Sequence, residues 1–497
     1  MNLKYSSEDT KQYGGPTVVL FVTRFEKLTD NKLKELDELS LGALTTLLKS
    51  KEFTGKDGEL ATLYRPGEYR ADRIVLAGLG DARKLNADSY RRAAGNVSRH
   101  KSLASSGKAA FYLGKSQKEE FYQAAIEGYI LGSFKLLKFK TDKESKDQKI
   151  LDEITFLFDN RRLLPRLKKA VERGVVFAEC QNLVRTLAST PSNHLTPRLL
   201  ANQAQKLAKV HGFTCKILDE KAVAREKMGA FLAVARGAKE PPRFIVLEYK
   251  GTRAARKPVV LVGKGITFDT GGISLKPGLN MHEMKSDMTG AAVVLAAVVA
   301  AARLKIPQNV IGLMPATENM PSATATKPGD IVTSRKGLTV EIINTDAEGR
   351  LILADALDYA NVFKPQAVVD IATLTGAALI VLGYAGAPIL GNSPKLLKRV
   401  KDSAERTAEK VWEMPIWDEH RENMKSTIAD VVNSYGRPGG TITAAAFLEN
   451  FIGDYPWVHV DIASVDVERS GKPYTPKGLT GTGLRLLADI LYNWKAL

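Results

Sequence analysis

PVVLVGKGITFDTGGISLK, residues 258–276, is the stretch on which the fold turns. Pro258 to Val262 is a short, β-branched apolar run that reads as a buried strand, and Gly263 and Gly265 bracket Lys264 where that strand should stop. Gly271 and Gly272 follow Asp269, so glycines surround Lys264, Asp269 and Lys276 and imply turns or close backbone approach that larger side chains forbid. A buried strand that opens into a polar, glycine-rich segment belongs to an α/β sheet, whose ligand sites lie just outside the strand ends.

Downstream, Asp287 stands just ahead of Ala291 to Ala302, a twelve-residue apolar run that reads as a buried helix and is too short to span a bilayer. NTDAEGRL, residues 344–351, then follows the apolar run Leu338 to Ile343. Read as a continued strand, it sets Asp346, Glu348 and Arg350 at alternate positions on one side of the chain. Two carboxylates held together repel unless a cation sits between them, so this pair with Asp269 and Asp287 points to a metal site.

These segments together resemble the leucyl aminopeptidases, the cytosol aminopeptidases of the M17 peptidase family. Beside NTDAEGRL and the Lys264 to Lys276 segment, the likeness is carried by EMKSDM at 283–288, ATLTGA at 372–377, GRPGG at 436–440 and HVDIA at 459–463. It covers roughly residue 170 to the C-terminus, and Thr270 stands where the family commonly has serine. The resemblance implies two divalent metals at Lys264, Asp269, Asp287, Asp346 and Glu348, with Asp269 and Glu348 bridging. Oxygen-rich ligation suits Mn²⁺, Zn²⁺ or Mg²⁺, and there is no histidine cluster to build a histidine-rich zinc site. A lysine ligates only as a neutral amine, so Lys264 needs a depressed pKa, which burial and neighbouring cations favour.

The activity implied is hydrolysis of the first peptide bond of short peptides with a free N-terminus, leucine and other apolar residues preferred. Lys276 then faces the charge that develops on the scissile carbonyl oxygen. Arg350 is always protonated and cannot ligate a metal; the resemblance gives it a bicarbonate that serves as general base. Met284, Thr373 and Gly376 match positions that line the pocket for the substrate's first residue. Family members with this layout form homohexamers.

Composition bounds the rest. The 497 residues suit a smaller N-terminal α/β domain (1–165), a linker helix and connection (166–190), and a larger α/β catalytic domain with a mixed central sheet (191–497). In the first, strands are expected at 18–22, 73–77, 109–113 and 154–158, helices at 32–48, 87–103 and 119–130, and a charged loop at 140–149. In the second, strands are expected at 213–218, 244–249, 258–262, 310–314, 338–343, 367–372 and 458–462. Two cysteines, Cys180 and Cys215, are too few for a disulfide framework and fit a reducing, cytoplasmic setting, and the N-terminus has no signal-like apolar core.

No Gly-x-Ser-x-Gly elbow, His-Glu-x-x-His motif or P-loop is present. An acid-rich two-metal site also suits phosphoryl transfer, so a metallophosphatase or nuclease is the enzyme-level alternative. A basic DNA-binding regulator with a vestigial metal site is the non-enzyme alternative. The net charge of +17 is not explained by peptidase chemistry, and residues 83–140 carry 12 Lys or Arg against 4 Asp or Glu. Nucleic-acid binding by the N-terminal domain therefore stands beside a plain solvated face as a reading of that stretch, with no role at a membrane.

Overall fold

Strands with apolar residues on both faces need cover on both sides, and that requirement shapes each of the two units into which the chain divides: Met1–Glu179 with Ser470–Pro476, and Cys180–Arg469 with Lys477–Leu497. The computed structural model describes residues 1–28, 30–100, 103, 106–114, 118–142, 150–252 and 256–496. The expected charged loop at 140–149 lies mostly outside the described residues.

The first unit is built on β1 (Asn2–Ser6), β2 (Thr17–Val22), β3 (Leu60–Tyr64), β4 (Arg73–Gly78), β5 (Lys108–Tyr112) and β6 (Glu153–Leu157), in the order β1-β6-β5-β2-β4-β3. All pairings are parallel except β3 with β4. Alternate residues of β2 supply two cores. Val19 and Phe21 pack with the helices Ala87–Val97 and Glu119–Gly132, and Val18, Leu20 and Val22 pack with Leu36 and Leu44 of the helices Asn31–Leu39 and Ala43–Lys49. The expected single helix over 32–48 is two, broken where Leu41 and Gly42 both take positive φ. β1 was not legible because it is a half-exposed edge strand without an apolar run; β3, LATLY, is the opposite edge strand, its short apolar stretch interrupted by Thr62.

The second unit holds nine strands of one mixed sheet among the described residues: β7 (Thr214–Leu218), β8 (Arg243–Tyr249), β9 (Val259–Gly263), β10 (Gly265–Asp269), β11 (Val310–Asn319), β14 (Ala367–Ala372), β15 (Ala387–Gly391), β16 (Val411–Glu413) and β18 (Trp457–Asp461). A small separate sheet joins β12 (Ile331–Thr333), β13 (Thr339–Glu341) and β17 (Val431–Val432). At the centre, β18, β14, β9 and β11 run parallel side by side, so their carboxyl ends share one edge. Behind them, the helix Thr289–Arg303 is buried at every residue from Thr289 to Ala301. The stretch Met281–Arg303 is, among the described residues, the one long and apolar enough to cross a membrane, and 89% of its most apolar window is buried inside the fold.

One expectation is corrected. NTDAEGRL does not continue a strand: β13 ends at Glu341, residues 344–347 form a turn, and Glu348 begins the helix Glu348–Ala360. Asn344 makes the turn, its Oδ1 accepting from Asp346 N at 2.9 Å and its carbonyl from Ala347 N at 3.2 Å. A local side-chain bond of this kind competes with strand pairing and opens a turn instead. The carboxylates therefore converge through a turn and a helix start, and not through strand alternation.

Candidate active site

The carboxyl edge of the central strands brings the charged residues together. Lys264 leaves the end of β9, and its buried Nζ lies 2.8 Å from Asp287 Oδ2, 2.8 Å from Glu348 Oε1 and 3.0 Å from the Thr373 carbonyl. Asp269 closes β10, and its Oδ1 accepts from Gly271 N at 2.9 Å and Asn319 Nδ2 at 2.8 Å. Lys276 Nζ bridges Asp269 Oδ2 at 2.8 Å and Asp346 Oδ1 at 2.5 Å. One carboxylate oxygen each from Asp269, Asp346 and Glu348 lie within 4.8 Å of one another. Gly349 leaves room for the lysine beside them, since a Cβ there would stand 2.6 Å from Lys264 Cε and 2.7 Å from its Nζ.

Four carboxylates face two ammonium groups, and the excess negative charge shows in their protonation. Burial, with Glu348 and Asp269 nearby, raises Asp287 well above the carboxylate range, and Lys264 only partly offsets this. Burial and Asp269 likewise raise Glu348, and burial raises Asp346. For Lys264, burial pushes downward as expected, but Asp287 and Glu348 outweigh it and hold the ammonium above its ordinary pKa. Glu348 Oε2 is buried with no hydrogen-bond partner, while Asp287 Oδ2 and Asp346 Oδ1 meet lysine charge without a well-directed hydrogen bond. Crowded, under-satisfied oxygen donors of this kind fit a divalent cation better than more protein donors.

Every predicted metal-ligand position joins this cluster, as does Lys276. Arg350 lies in the first turn of the helix Glu348–Ala360, fully buried; its guanidinium donates to the Asn433 carbonyl at 2.8 Å and its Nε has no partner. Burial pushes its pKa down to about 10. Thr373, expected in the substrate pocket, binds the cluster directly: its hydroxyl donates to Asp287 Oδ1 at 2.7 Å and its carbonyl accepts from Lys264. Met284 is half-buried in the turn Met281–Ser286, and Gly376 is exposed at the start of the helix Gly376–Leu382.

Sequence reasoning gave no role to Asn319, Thr345, Asn433 or Asp461. Asn319 Nδ2 links Asp269 Oδ1 to the Thr345 carbonyl, at 2.8 and 3.1 Å. Thr345 Oγ1 donates to Gly271 O at 2.6 Å, and Asp461 accepts from Leu374 N at 3.1 Å and from Thr375 Oγ1 at 2.6 Å. Thr345 stood in NTDAEGRL and Asp461 in HVDIA, both recognised segments; Asn319 and Asn433 are polar residues outside them with no spacing signal.

An α/β unit with a lysine-threaded carboxylate cluster at the carboxyl ends of its parallel strands defines a cation-dependent hydrolytic enzyme. Residues 182–488 match the catalytic domain of the cytosol aminopeptidase family, and residues 19–143 match that family's N-terminal domain. The chain is 43% identical over 464 residues to a probable cytosol aminopeptidase of Geotalea uraniireducens, covering 93% of each chain. A probable cytosol aminopeptidase of Geobacter sulfurreducens is 44% identical over 466 residues, 93% of this chain and 94% of the relative. Among solved structures, the bottromycin maturation enzyme BotP in complex with Mn superposes with a TM-score of 0.84 at 32% identity, over 96% of this chain and 99% of that one. The chain belongs to the cytosol aminopeptidase family: it is a metal-dependent aminopeptidase, a peptide hydrolase.

Proposed function

We propose that the chain removes N-terminal leucine and other apolar residues from short peptides, with two divalent cations held by Lys264, Asp269, Asp287, Asp346 and Glu348. The observation that carries this reading is the charge imbalance of the cluster, four carboxylates against two ammonium groups with Glu348 Oε2 left without a partner. Bound there, Mn²⁺ or Zn²⁺, with Mg²⁺ as the third candidate, would supply Lewis acidity and a water activated at neutral pH. The manganese in BotP favours Mn²⁺ as the first metal to try.

The chain's own residues do the remaining work. Lys276, with 23% of its side chain exposed, is the ammonium that can turn from Asp269 and Asp346 to the oxygen of a scissile carbonyl. Arg350 offers a buried, unpartnered Nε to a small oxyanion such as bicarbonate, which would take the proton of the attacking water. Asp269 is held by Asn319 and Gly271, so its second oxygen is aimed and does not wander. Met284 offers an adaptable apolar wall for the first side chain, and open space at Gly376 leaves room for it.

Hydrolysis of leucine p-nitroanilide, measured beside a phosphate ester, tests the reading. Anilide turnover that is lost on chelation and restored by Mn²⁺, with no turnover of the ester, supports it. Ester turnover alone would replace it with the metallophosphatase reading, and full anilide turnover after exhaustive chelation would remove the metals. Assembly as a cytoplasmic homohexamer belongs to the same proposal. It is supported by large apolar side chains left in solvent in the second unit, Ile380 at 86% and Trp412 at 66% exposure.

Nucleic-acid binding by the first unit is the second reading. Part of its basic stretch is neutralised internally: Arg91 is buried against Glu127 and Asp88, and Arg92 pairs with Asp57 and Asp88. Lys84, Arg99, Lys118, Lys135, Lys138 and Lys140 remain exposed and support it. Binding of duplex DNA that weakens steeply with salt would bear it out.

A further inference from the structure

The first unit contains a cavity of about 250 Å³ that the peptidase chemistry does not use. Its position follows from the topology. From β2 the chain leaves toward β3 and β4 on one side, and from β5 it leaves toward β6 on the other, while β2 and β5 are parallel neighbours. Adjacent strands whose connections depart in opposite directions open a crevice at their carboxyl ends, the place where doubly wound sheets bind ligands. The cavity is lined there by the ends of β2 (Leu20 to Thr23) and β5 (Tyr112 to Gly114).

The lining selects a ligand class. Phe21, Tyr69, Tyr90 and Tyr112 supply aromatic walls, closed by Leu33 and Leu79. Tyr90 spends its hydroxyl on the Leu113 carbonyl at 3.2 Å and Tyr112 on Asp159 Oδ2 at 2.9 Å, so what they offer the cavity is ring surface. Among the described residues, two ionic side chains line the space, Asp30 and Lys32. Lys32 is already compensated, 2.7 Å from Asp9 and 3.8 Å from Glu35. Asp30 has no cationic partner among the described residues: its Oδ1 caps the helix Asn31–Leu39 by accepting from Lys32 N at 2.8 Å and Leu33 N at 3.3 Å. Among the described residues, an entering anion would meet Asp30 with no spare cation. An entering ammonium would offset Asp30 and lie among ring faces that attract it. At about 250 Å³ the space is below the range of about 300–1,000 Å³ typical of drug-sized ligands, and suits a molecule on the scale of one large amino acid.

We infer that this cavity is a binding site for a small apolar or aromatic molecule bearing a primary ammonium, either a free apolar amino acid or a simple amine. The inference stands apart from the peptidase reading, since no residue of the carboxylate cluster lines the space.

Calorimetric titration of the full-length, metal-loaded protein with phenethylamine, L-phenylalanine and 3-phenylpropanoate tests it. Phenethylamine should bind at one site per chain that persists in an Asp269→Asn background, which separates the cavity from the catalytic cluster. Leu33→Trp, which fills the space, should abolish it. The variant Asp30→Asn keeps the helix cap and every aromatic and aliphatic wall residue, so it guards against a Leu33→Trp chain that fails to fold. It should weaken binding about tenfold, as expected for a lost charge-assisted contact. Tighter binding of L-phenylalanine than of phenethylamine would make the ligand an amino acid, and the reverse order a simple amine. Absence of saturable binding at millimolar ligand, binding unchanged in Asp30→Asn, or equal binding of 3-phenylpropanoate would overturn the inference.

Discussion

Lys264 is the residue on which the site depends most, because it touches Asp287, Glu348 and Thr373 at once from a fully buried position. If it ligates as a neutral amine, Lys264→Arg should weaken or empty one metal position although it keeps the charge, because guanidinium has no lone pair to give. Metal analysis by mass spectrometry reads this directly, and full occupancy with normal turnover would refute the assignment. Gly349→Ala sets two effects against each other. Alanine favours the helix by about 1 kcal/mol, but its Cβ would fall 2.6 Å from a lysine side chain that three partners hold in place. The clash should win at the site, with metal affinity and turnover falling while the thermal midpoint changes little; unchanged turnover would show that Lys264 can move aside. Lys276→Ala should lower kcat by about 10²-fold at unchanged metal content, the loss expected for one oxyanion donor. Loss of metal in that variant would make Lys276 structural.

At the scale of elements, the helix Glu348–Ala360 carries the site at its N-terminus and an anchor about two turns further on. Asp355, fully buried in that helix, accepts from Phe231 N at 2.8 Å and Arg335 N at 2.7 Å, which ties the helix to Gly229–Ala235 and to the turn after β12. Burial raises its pKa to about 7, against about 3.9 for an aspartate in an unfolded chain. Between those values the unfolded chain releases the proton and the folded chain keeps it, so this group lowers stability as pH rises from about 4 to about 7 and contributes no further slope above. Asp355→Asn cannot ionise. Whatever its stability at low pH, the variant should gain on the wild type across that window in urea denaturation, and parallel pH profiles would contradict the assignment. The folded backbone of 344–347 matters at the same scale, since the turn at Asn344 brings Asp346 to Lys276 and starts the helix that places Glu348 and Arg350.

For the whole molecule, the proposed hexamer makes a mass prediction. Light scattering should give six times the 54.2 kDa chain mass, and Ile380→Glu with Trp412→Glu should lower it, because charges introduced at buried contacts lose solvation without a partner. A wild-type mass equal to one chain would end the proposal. The net charge of +17 and a sequence pI near 9.5 set the solution behaviour independently of assembly, favouring solubility and attraction to acidic partners.

The sequence by itself determined the central strands, the buried helix after Asp287 and the identity of the charged residues. Apolar run length, glycine placement and unusual acid–lysine spacing are local properties that survive without knowing what lies across the fold. The edge strand β1 escaped because it carries no apolar run, and β3 because its short apolar stretch is interrupted at Thr62. How Asp346, Glu348 and Arg350 meet was misread for a related reason: alternation along an extended chain and a turn into a helix fit the same residues, and the choice fell to the Asn344 turn. Tertiary structure alone brought Asn319 and Asn433 to the site and put Thr373, expected at the substrate pocket, against Asp287, since each acts on a residue more than forty positions away in the chain. It also decided the protonation balance of the cluster, because burial and the approach of Asp269, Asp287 and Glu348 around Lys264 exist only once β9, β10 and the helix Glu348–Ala360 have packed together.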